Sequence, residues 1–186
     1  MNYRKDISMS NKIDVRILIK AHLDTLIYSG EKKKRNYWDI LIFFVFPTLV
    51  SIYFVFKGWA INDGAISIFI NLGAIFTTLL ISVLVMMYDQ HQKISDKIDS
   101  IEANKDTVYV RKYKNKKSII EELFANISYS VVISVFVVSV SLIYQLLGQY
   151  HYVSKFILMP ISIFLVINLL LTVLMVIKRT YLLIAN

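Results

Sequence analysis

Four stretches of the sequence carry no charged side chain, and each is long enough to cross a membrane as a helix. They run from Ile40 to Phe56, Gly64 to Tyr88, Leu123 to Tyr150 and Phe156 to Ile177, which is 17, 25, 28 and 22 residues. A helix needs about 20 apolar residues to cross roughly 30 Å of hydrocarbon. We therefore predict an all-α integral membrane protein with four transmembrane helices.

The basic residues predict how these helices are oriented. Of the 21 Lys and Arg residues, only Lys57 and Lys155 lie in the short turns after the first and third stretches. Because Lys and Arg concentrate on the cytoplasmic side, we expect both termini in the cytoplasm. Contact with anionic lipid headgroups explains the net charge of +8 better than nucleic-acid binding does. A basic cluster at the inner boundary consists of Lys32, Lys33, Lys34 and Arg35.

The segment before the first span predicts an amphipathic helix over Asn11 to Ser29. Ser10 is suited to the N-cap position and Gly30 to the helix stop. Alternating apolar residues between Ile13 and Ile19 are also compatible with a strand. The helix lies either on the membrane surface or on the other cytoplasmic segment. Its predicted apolar face comprises Val15, Leu18, Ile19, His22, Leu23 and Leu26.

Residues 89–122 predict a cytoplasmic helical hairpin that continues spans two and three inward. Met87, His91, Ile94, Ile98 and Ile101 have the spacing of a coiled-coil seam, whose partner would be the arm or the same segment of a neighbouring subunit. Thr107 to Val110 favours extended structure, and Ser118 to Glu121 fits a capping box. The basic residues of the intervening turn are Arg111, Lys112, Lys114, Lys116 and Lys117.

The predicted segments follow one another without room for a soluble domain. Pro47 is expected to kink the first span, and the tight turn at Asn62 to Gly64 predicts that spans one and two are antiparallel neighbours. The segments are a cytoplasmic arm (1–37), span one (38–57), span two (64–88), the hairpin (89–122), span three (123–147), span four (156–177) and a cytoplasmic tail (178–186).

Polar residues inside the spans are few and uncharged. Thr77, Ser134 and Asn168 are expected at similar depth near the bilayer centre. They would form either a polar layer lining a conduit or, as we favour, hydrogen bonds between helices. Ser130 and Ser134 have the small-xxx-small spacing that lets helices approach closely. The absence of an ionisable residue in the spans disfavours proton-coupled transport.

No motif predicts an enzyme, a metal or a cofactor. The chain has no cysteine, and its three histidines stand far apart in the sequence. Arg16 and His22 match the R-x(4–6)-H spacing of HEPN ribonucleases, but so short a pattern arises readily by chance. That fold also requires a soluble helical bundle, for which no residues remain. We predict no catalytic, cofactor-binding or metal-binding residue.

Four spans with a basic arm ending at Lys32 to Arg35 and a charged 89–122 hairpin resemble the membrane subunits of bacterial antiphage systems. The architecture is most similar to the KwaA membrane component of the Kiwa system, and also to the four-span accessory proteins of some type VI CRISPR loci. The Kiwa resemblance implies a homo-oligomer, with a tetramer as the expected assembly, that senses perturbation of the inner membrane. It further implies a KwaB-like, DNA-binding effector that docks on the cytoplasmic side.

The resemblance predicts a sensor and scaffold, with two alternatives. One is an oligomeric pore that depolarises the cell, whose conductance Asn168→Leu would abolish. The other is a passive anchor, which a foreign membrane anchor would replace. The residues predicted to dock the effector are Arg111, Lys112, Lys114, Lys116, His91, Ile94, Ile98 and Ile101.

Overall fold

The computed structural model describes residues 14–29, 34–35, 37–59, 61–103, 107–148 and 151–185, and these are mainly helical. Four helical runs are long and apolar enough to cross a membrane: Tyr37–Phe56, Asp63–Ile101, Tyr109–Leu147 and Ser154–Leu183. This confirms the prediction of a helical chain with four helices that are long and apolar enough to span a membrane. In chain order the elements are α1 (Arg16–Ile27), β1 (Tyr28–Ser29), β2 (Lys34–Arg35), α2 (Tyr37–Ile40), a π-helical turn π1 (Leu41–Val45), α3 (Phe46–Phe56), α4 (Asp63–Ala103), α5 (Thr107–Leu147), a second π-helical turn π2 (Ser154–Leu158) and α6 (Met159–Ala185).

The arm forms a helix that is shorter than predicted. An Asp14 carboxylate oxygen accepts a hydrogen bond from the Arg16 backbone N–H at 3.0 Å at the start of α1, whereas the predicted cap, Ser10, lies outside the described residues. The predicted helical end at Ser29 was wrong, because the backbone of Tyr28 and Ser29 pairs with that of Arg35 and Lys34 in an antiparallel ladder. That ladder returns the chain from α1 to the first span.

The hairpin between spans two and three consists of two unbroken helices. α4 and α5 are each 41 residues long and pack against each other in antiparallel fashion. The predicted extended segment at 107–110 and the capping box at Ser118 were therefore wrong: α5 begins at Thr107, and packing against α4 overrides the local β-propensity.

The helix that faces the predicted coiled-coil seam is α5 of the same chain. The Lys97 ammonium lies 5.7 Å from the centre of the Tyr113 ring, and His91 Nε2 lies 3.4 Å from Glu121 Oε1. Both contacts lie within the length of the seam, and Ile98 of the seam is buried. An intramolecular partner thus occupies the position expected for the arm or a neighbouring subunit.

The bundle packs span one mainly on span four, whereas the short connecting turn predicted that spans one and two pack along each other. α5 packs between α4 and α6, and α3 packs on α6 rather than along α4. The physical reason is that α4 makes its close approach to α5 at Gly73, while the first span is bonded to α6 through Asn168. The central core of α4, α5 and α6 includes Leu80, Met87, Leu123, Ile127, Val137 and Leu169.

The end of the bundle opposite the hairpin is closed by two short turns. Gly58 and Gly148 end α3 and α5 in the left-handed conformation that glycine adopts without a steric penalty. The Asn62 side chain caps α4 by accepting from Ala65 N–H at 2.8 Å. The Tyr144 hydroxyl donates to the Ile61 carbonyl at 3.0 Å and holds the first turn against α5. We call this the short-turn end.

Candidate functional site: a buried polar network beneath the N-terminal helix

α1 is inserted against the spans by a small set of buried residues. It packs on α2 and α5 at the hairpin side of the bundle. His22 and Leu26 are fully buried and Thr25 nearly so, whereas Ile19, expected on the apolar face, is 37% exposed. The buried face of α1 is therefore narrower and more polar than the sequence pattern indicated.

His22 is held on three sides. Its Nδ1 lies 2.8 Å from Asn126 Oδ1 on α5, and the Thr25 hydroxyl donates to the same Asn126 oxygen at 2.7 Å. The imidazole stacks on the Tyr129 ring at a centroid distance of 3.8 Å and an interplanar angle of 4°. The Phe43 ring of π1 meets it edge-on at 6.2 Å. The His22 and Thr25 side chains thus hold a short helix outside the spans against them.

Burial favours the neutral form of the His22 imidazole. Burial is the main cause that lowers its pKa from 6.5 to about 4; the hydrogen bond with Asn126 opposes this shift, and the nearby positive charge of Arg179 adds to it. Because an amide oxygen accepts, the bond to Asn126 assigns the proton to Nδ1. His22 Nε2 and Asn126 Nδ2 then have no hydrogen-bond partner among the described residues.

Arg179 joins the network from α6. Its Nη2 donates to the Thr25 carbonyl at 3.0 Å, and its Nη1 lies 2.9 Å from Glu122 Oε2 on α5. The Arg179 side chain is 18% exposed and that of Glu122 is 37% exposed, so this ion pair is only partly screened by solvent. One guanidinium therefore ties α1, α5 and α6 together.

A second set of bonds lies deeper in the bundle. The Tyr129 hydroxyl donates to Asn168 Oδ1 at 2.9 Å, and Asn168 Nδ2 donates to the Phe43 carbonyl at 2.9 Å. Pro47 has no N–H to give that carbonyl the usual i→i−4 bond, and π1 ends two residues before this proline. The irregular turn thus exposes a backbone acceptor that Asn168 satisfies. We call the residues His22, Thr25, Glu122, Asn126, Tyr129, Asn168 and Arg179 the inner polar network.

The predicted polar layer is divided between two places. The Thr77 and Ser134 hydroxyls lie 2.7 Å apart across α4 and α5, at the close approach that Ser130 and Ser134 were expected to permit. A Cβ atom added at Gly73 would lie 2.7 Å from Val138 Cγ2 and 3.0 Å from the Ser134 carbonyl. Asn168 bonds instead to Tyr129 and Phe43, so interhelical bonding accounts for these three polar groups.

The residues predicted for effector docking lie on the hairpin. The side chains of Arg111, Lys112 and Lys114 are exposed, and that of Lys116 is half-buried. Their role in docking stays a prediction. Of the predicted apolar contacts, Ile98 is buried, and His91, Ile94 and Ile101 are half-buried.

Most of the inner polar network was missed by sequence reasoning. Glu122, Asn126 and Tyr129 follow one another at i, i+4 and i+7, which places them on one face of α5. That spacing, where the hairpin helix continues into span three, was the available signal in the sequence. Arg16 is exposed while His22 is buried, so the two residues of the HEPN-like pattern differ in their access to solvent.

Comparisons with protein-family models, curated proteins and solved structures find no match for this chain.

Proposed function

We propose that this chain is the membrane-embedded sensor and scaffold subunit of a bacterial antiphage defence complex. It detects perturbation of the inner membrane and recruits a cytoplasmic, DNA-binding effector of the KwaB type. The observation that supports this most is the inner polar network, through which α1 is bonded to α5 and α6. Through these bonds, a rearrangement of the spans changes the position of the cytoplasmic arm.

The network supports sensing because its bonds cross between spans. The Tyr129–Asn168 and Glu122–Arg179 contacts both join α5 to α6. A change in bilayer thickness or tension that slides α6 past α5 by one or two ångströms breaks both contacts and removes the Arg179 bond to the Thr25 carbonyl. α1 then has two states, docked and released, and the condition of the membrane sets their relative populations.

The hairpin supports scaffolding because it extends well beyond the bilayer. A 41-residue helix is about 61 Å long, against about 40–45 Å for a bilayer with its headgroups, so roughly 15–20 Å stands clear. At the Debye length of about 8 Å, charges near the tip of the hairpin are largely screened from the headgroups. Its basic residues thus lie where an acidic surface of a soluble partner can reach them.

The remaining parts of the proposal follow from the charge distribution and the resemblance. The excess of Lys and Arg on the hairpin side favours a cytoplasmic location for both termini. The same basic residues favour contact between that side of the bundle and anionic lipid headgroups. The Kiwa resemblance implies a homo-oligomer, with a tetramer as the expected assembly. No direct contact with nucleic acid is proposed for this subunit.

Charge reversal of the hairpin tests the scaffold. The combined Arg111→Glu, Lys112→Glu and Lys114→Glu variant is expected to lose at least tenfold in co-purification of the effector and to lose phage protection with it. Lys93→Glu, which reverses an exposed charge on the other hairpin helix, is the control and should retain both. Unchanged co-purification together with unchanged protection in the triple variant would refute the proposal.

Asn126→Leu tests sensing separately from binding of the effector. This change removes the acceptor for His22 and Thr25 but leaves the hairpin charges in place. The expected result is a subunit that still inserts and still binds the effector but no longer protects. Ser139→Ala on the same helix is the matched control, because the Ser139 hydroxyl donates to the Val135 carbonyl within that helix.

A pore is the second candidate, favoured by one observation. Asn71, Thr78 and Ser82 are exposed along one side of α4, so several copies together would line a conduit with them. Within one chain, Thr77, Ser134 and Asn168 are occupied by interhelical bonds. Conductance across planar bilayers that is lost on Asn71→Leu but unaffected by Lys112→Glu would favour the pore over the scaffold.

A further inference from the structure

The two asparagines within the apolar stretches of spans two and four differ in how their amide groups are satisfied. Asn168 is fully buried, accepts from Tyr129 and donates to the Phe43 carbonyl. The Asn71 side chain is exposed on α4 and has no hydrogen-bond partner among the described residues. A carboxamide with free donors and acceptors is poorly solvated by lipid tails, so this position requires a polar partner from outside the chain.

Asn71 lies too deep to reach the lipid headgroups. The span is bounded by Asp63 and Asp89, and the residue midway between them is Phe76. A hydrocarbon layer of about 30 Å centred there places Asn71 about 7 Å inside its edge, at a rise of 1.5 Å per residue. The short Asn side chain does not extend that far towards the interface, unlike Lys or Arg.

The surface around Asn71 is an open and mostly apolar face of α4. Ile68, Asn71, Leu72, Ile75 and Phe76 line an open groove of about 320 Å³. Thr78 and Ser82, further along the same exposed side, donate their hydroxyls to the carbonyls of Ala74 and Thr78, at 3.2 and 3.1 Å. They therefore leave no donor unpaired, and with Ala74 they are small enough to admit a close helix. Of the polar groups on this side of α4, the Asn71 carboxamide is the one that needs an outside partner.

We propose that the exposed face of α4 around Asn71 is the interface with a second copy of this chain. Two copies in one membrane share their orientation, so a twofold axis along the membrane normal brings both Asn71 side chains to the same depth. Each carboxamide has an N–H donor and a C=O acceptor, so the pair can form reciprocal hydrogen bonds. The proposal does not depend on antiphage sensing, and it is an alternative to a conduit lined by Asn71, because a carboxamide paired with its copy does not face water.

Cysteine cross-linking in lipid vesicles tests the interface, because the chain has no native cysteine. A disulfide requires Cα atoms within about 7 Å, so Ala74→Cys in the full chain should give a covalent dimer on oxidation. Val135→Cys, which replaces a side chain 48% exposed on α5, is the matched control and should stay monomeric. Equal cross-linking of the two variants, or none of Ala74→Cys at any protein-to-lipid ratio, overturns the proposal.

Energy transfer between labelled copies tests the role of the carboxamide. Asn71→Leu should weaken self-association in vesicles by about 3- to 30-fold, the range for interhelical hydrogen bonds in membranes. Asn71→Gln keeps the donor and acceptor and should retain most of the association. Because the side chain is exposed, neither change should disturb the monomer, which trypsin resistance of the bundle checks. An Asn71→Leu variant that associates like the original chain overturns the proposal.

Discussion

At the scale of single residues, the molecule is defined by polar side chains placed where apolar ones would pack more simply. His22, Asn126 and Asn168 are all fully buried. A buried polar group without its partner costs about 1–3 kcal/mol, so each bond makes the position of α1 depend on the correct arrangement of the spans. An apolar interface of the same shape would slide without breaking a bond, whereas a slide here breaks these hydrogen bonds.

The docking of α1 is expected to weaken in acid because of His22. The pKa of the docked imidazole is lowered to about 4, whereas a detached one titrates near 6.5, so detachment takes up a proton. Docking should therefore be independent of His22 above about pH 6.5 and weaken as the pH falls towards 4, by up to about 3 kcal/mol. Hydrogen exchange of the α1 amides, corrected for intrinsic rates, measures this.

His22→Gln separates the imidazole from the charged groups that face it. Glu122 on α5, Asp39 on α2 and Arg179 on α6 also lie near this site, and carboxylates respond to acid as well. The Gln variant should lose most of the pH dependence between 6.5 and 4. The same acid-induced exchange in both proteins would show that the carboxylates, and not His22, control docking.

At the scale of helices, the spans could be predicted from the sequence and most of their ends could not. Uninterrupted apolar runs reveal a helix that crosses lipid, because no charge is tolerated there. The start of α5 at Thr107 was hidden because a Thr-Val-Tyr-Val segment has local β-propensity, and only packing against α4 makes it helical. Which helices pack on each other could not be predicted either. It depends on the close approach of α4 and α5 at Gly73 and on the Phe43 carbonyl, which Pro47 leaves unbonded.

Gly73→Ala is expected to force α4 and α5 apart. The added Cβ would lie 3.0 Å from the Ser134 backbone carbonyl, which cannot move without the helix. Overpacking of this kind costs about 1–3 kcal/mol and outweighs the helix propensity gained by alanine, about 1 kcal/mol. Unfolding in mixed detergent micelles should show a net loss of stability.

Gly64→Ala is the matched control on the same helix. A Cβ at Gly64 would meet only the Asn62 side chain, at 3.6 Å, which is ordinary contact. This variant should be neutral or slightly more stable than the original chain. Equal stability of the two alanine variants would mean that α4 and α5 adjust at little cost, and that the close approach does not hold them together.

At the scale of the whole molecule, the bundle has two unlike ends. The short-turn end is closed by glycine turns and by the Tyr144 bond, whereas the other end carries α1, the inner polar network and the long hairpin. This asymmetry was predictable in outline from where the charges lie. The network itself was not, because His22 and Asn126 are 104 residues apart and meet only after folding.

The two ends are expected to face opposite sides of the membrane, and single cysteines can show which end faces which side. Because Lys and Arg concentrate at the hairpin end, Tyr152→Cys at the short-turn end should react with a membrane-impermeant maleimide in intact spheroplasts. Lys112→Cys on the hairpin should react only in inverted vesicles. Both side chains are exposed, so a difference in labelling reports the side of the membrane rather than burial. Labelling of Lys112→Cys from outside would place the hairpin beyond the reach of any cytoplasmic effector, and the scaffold proposal would fall with it.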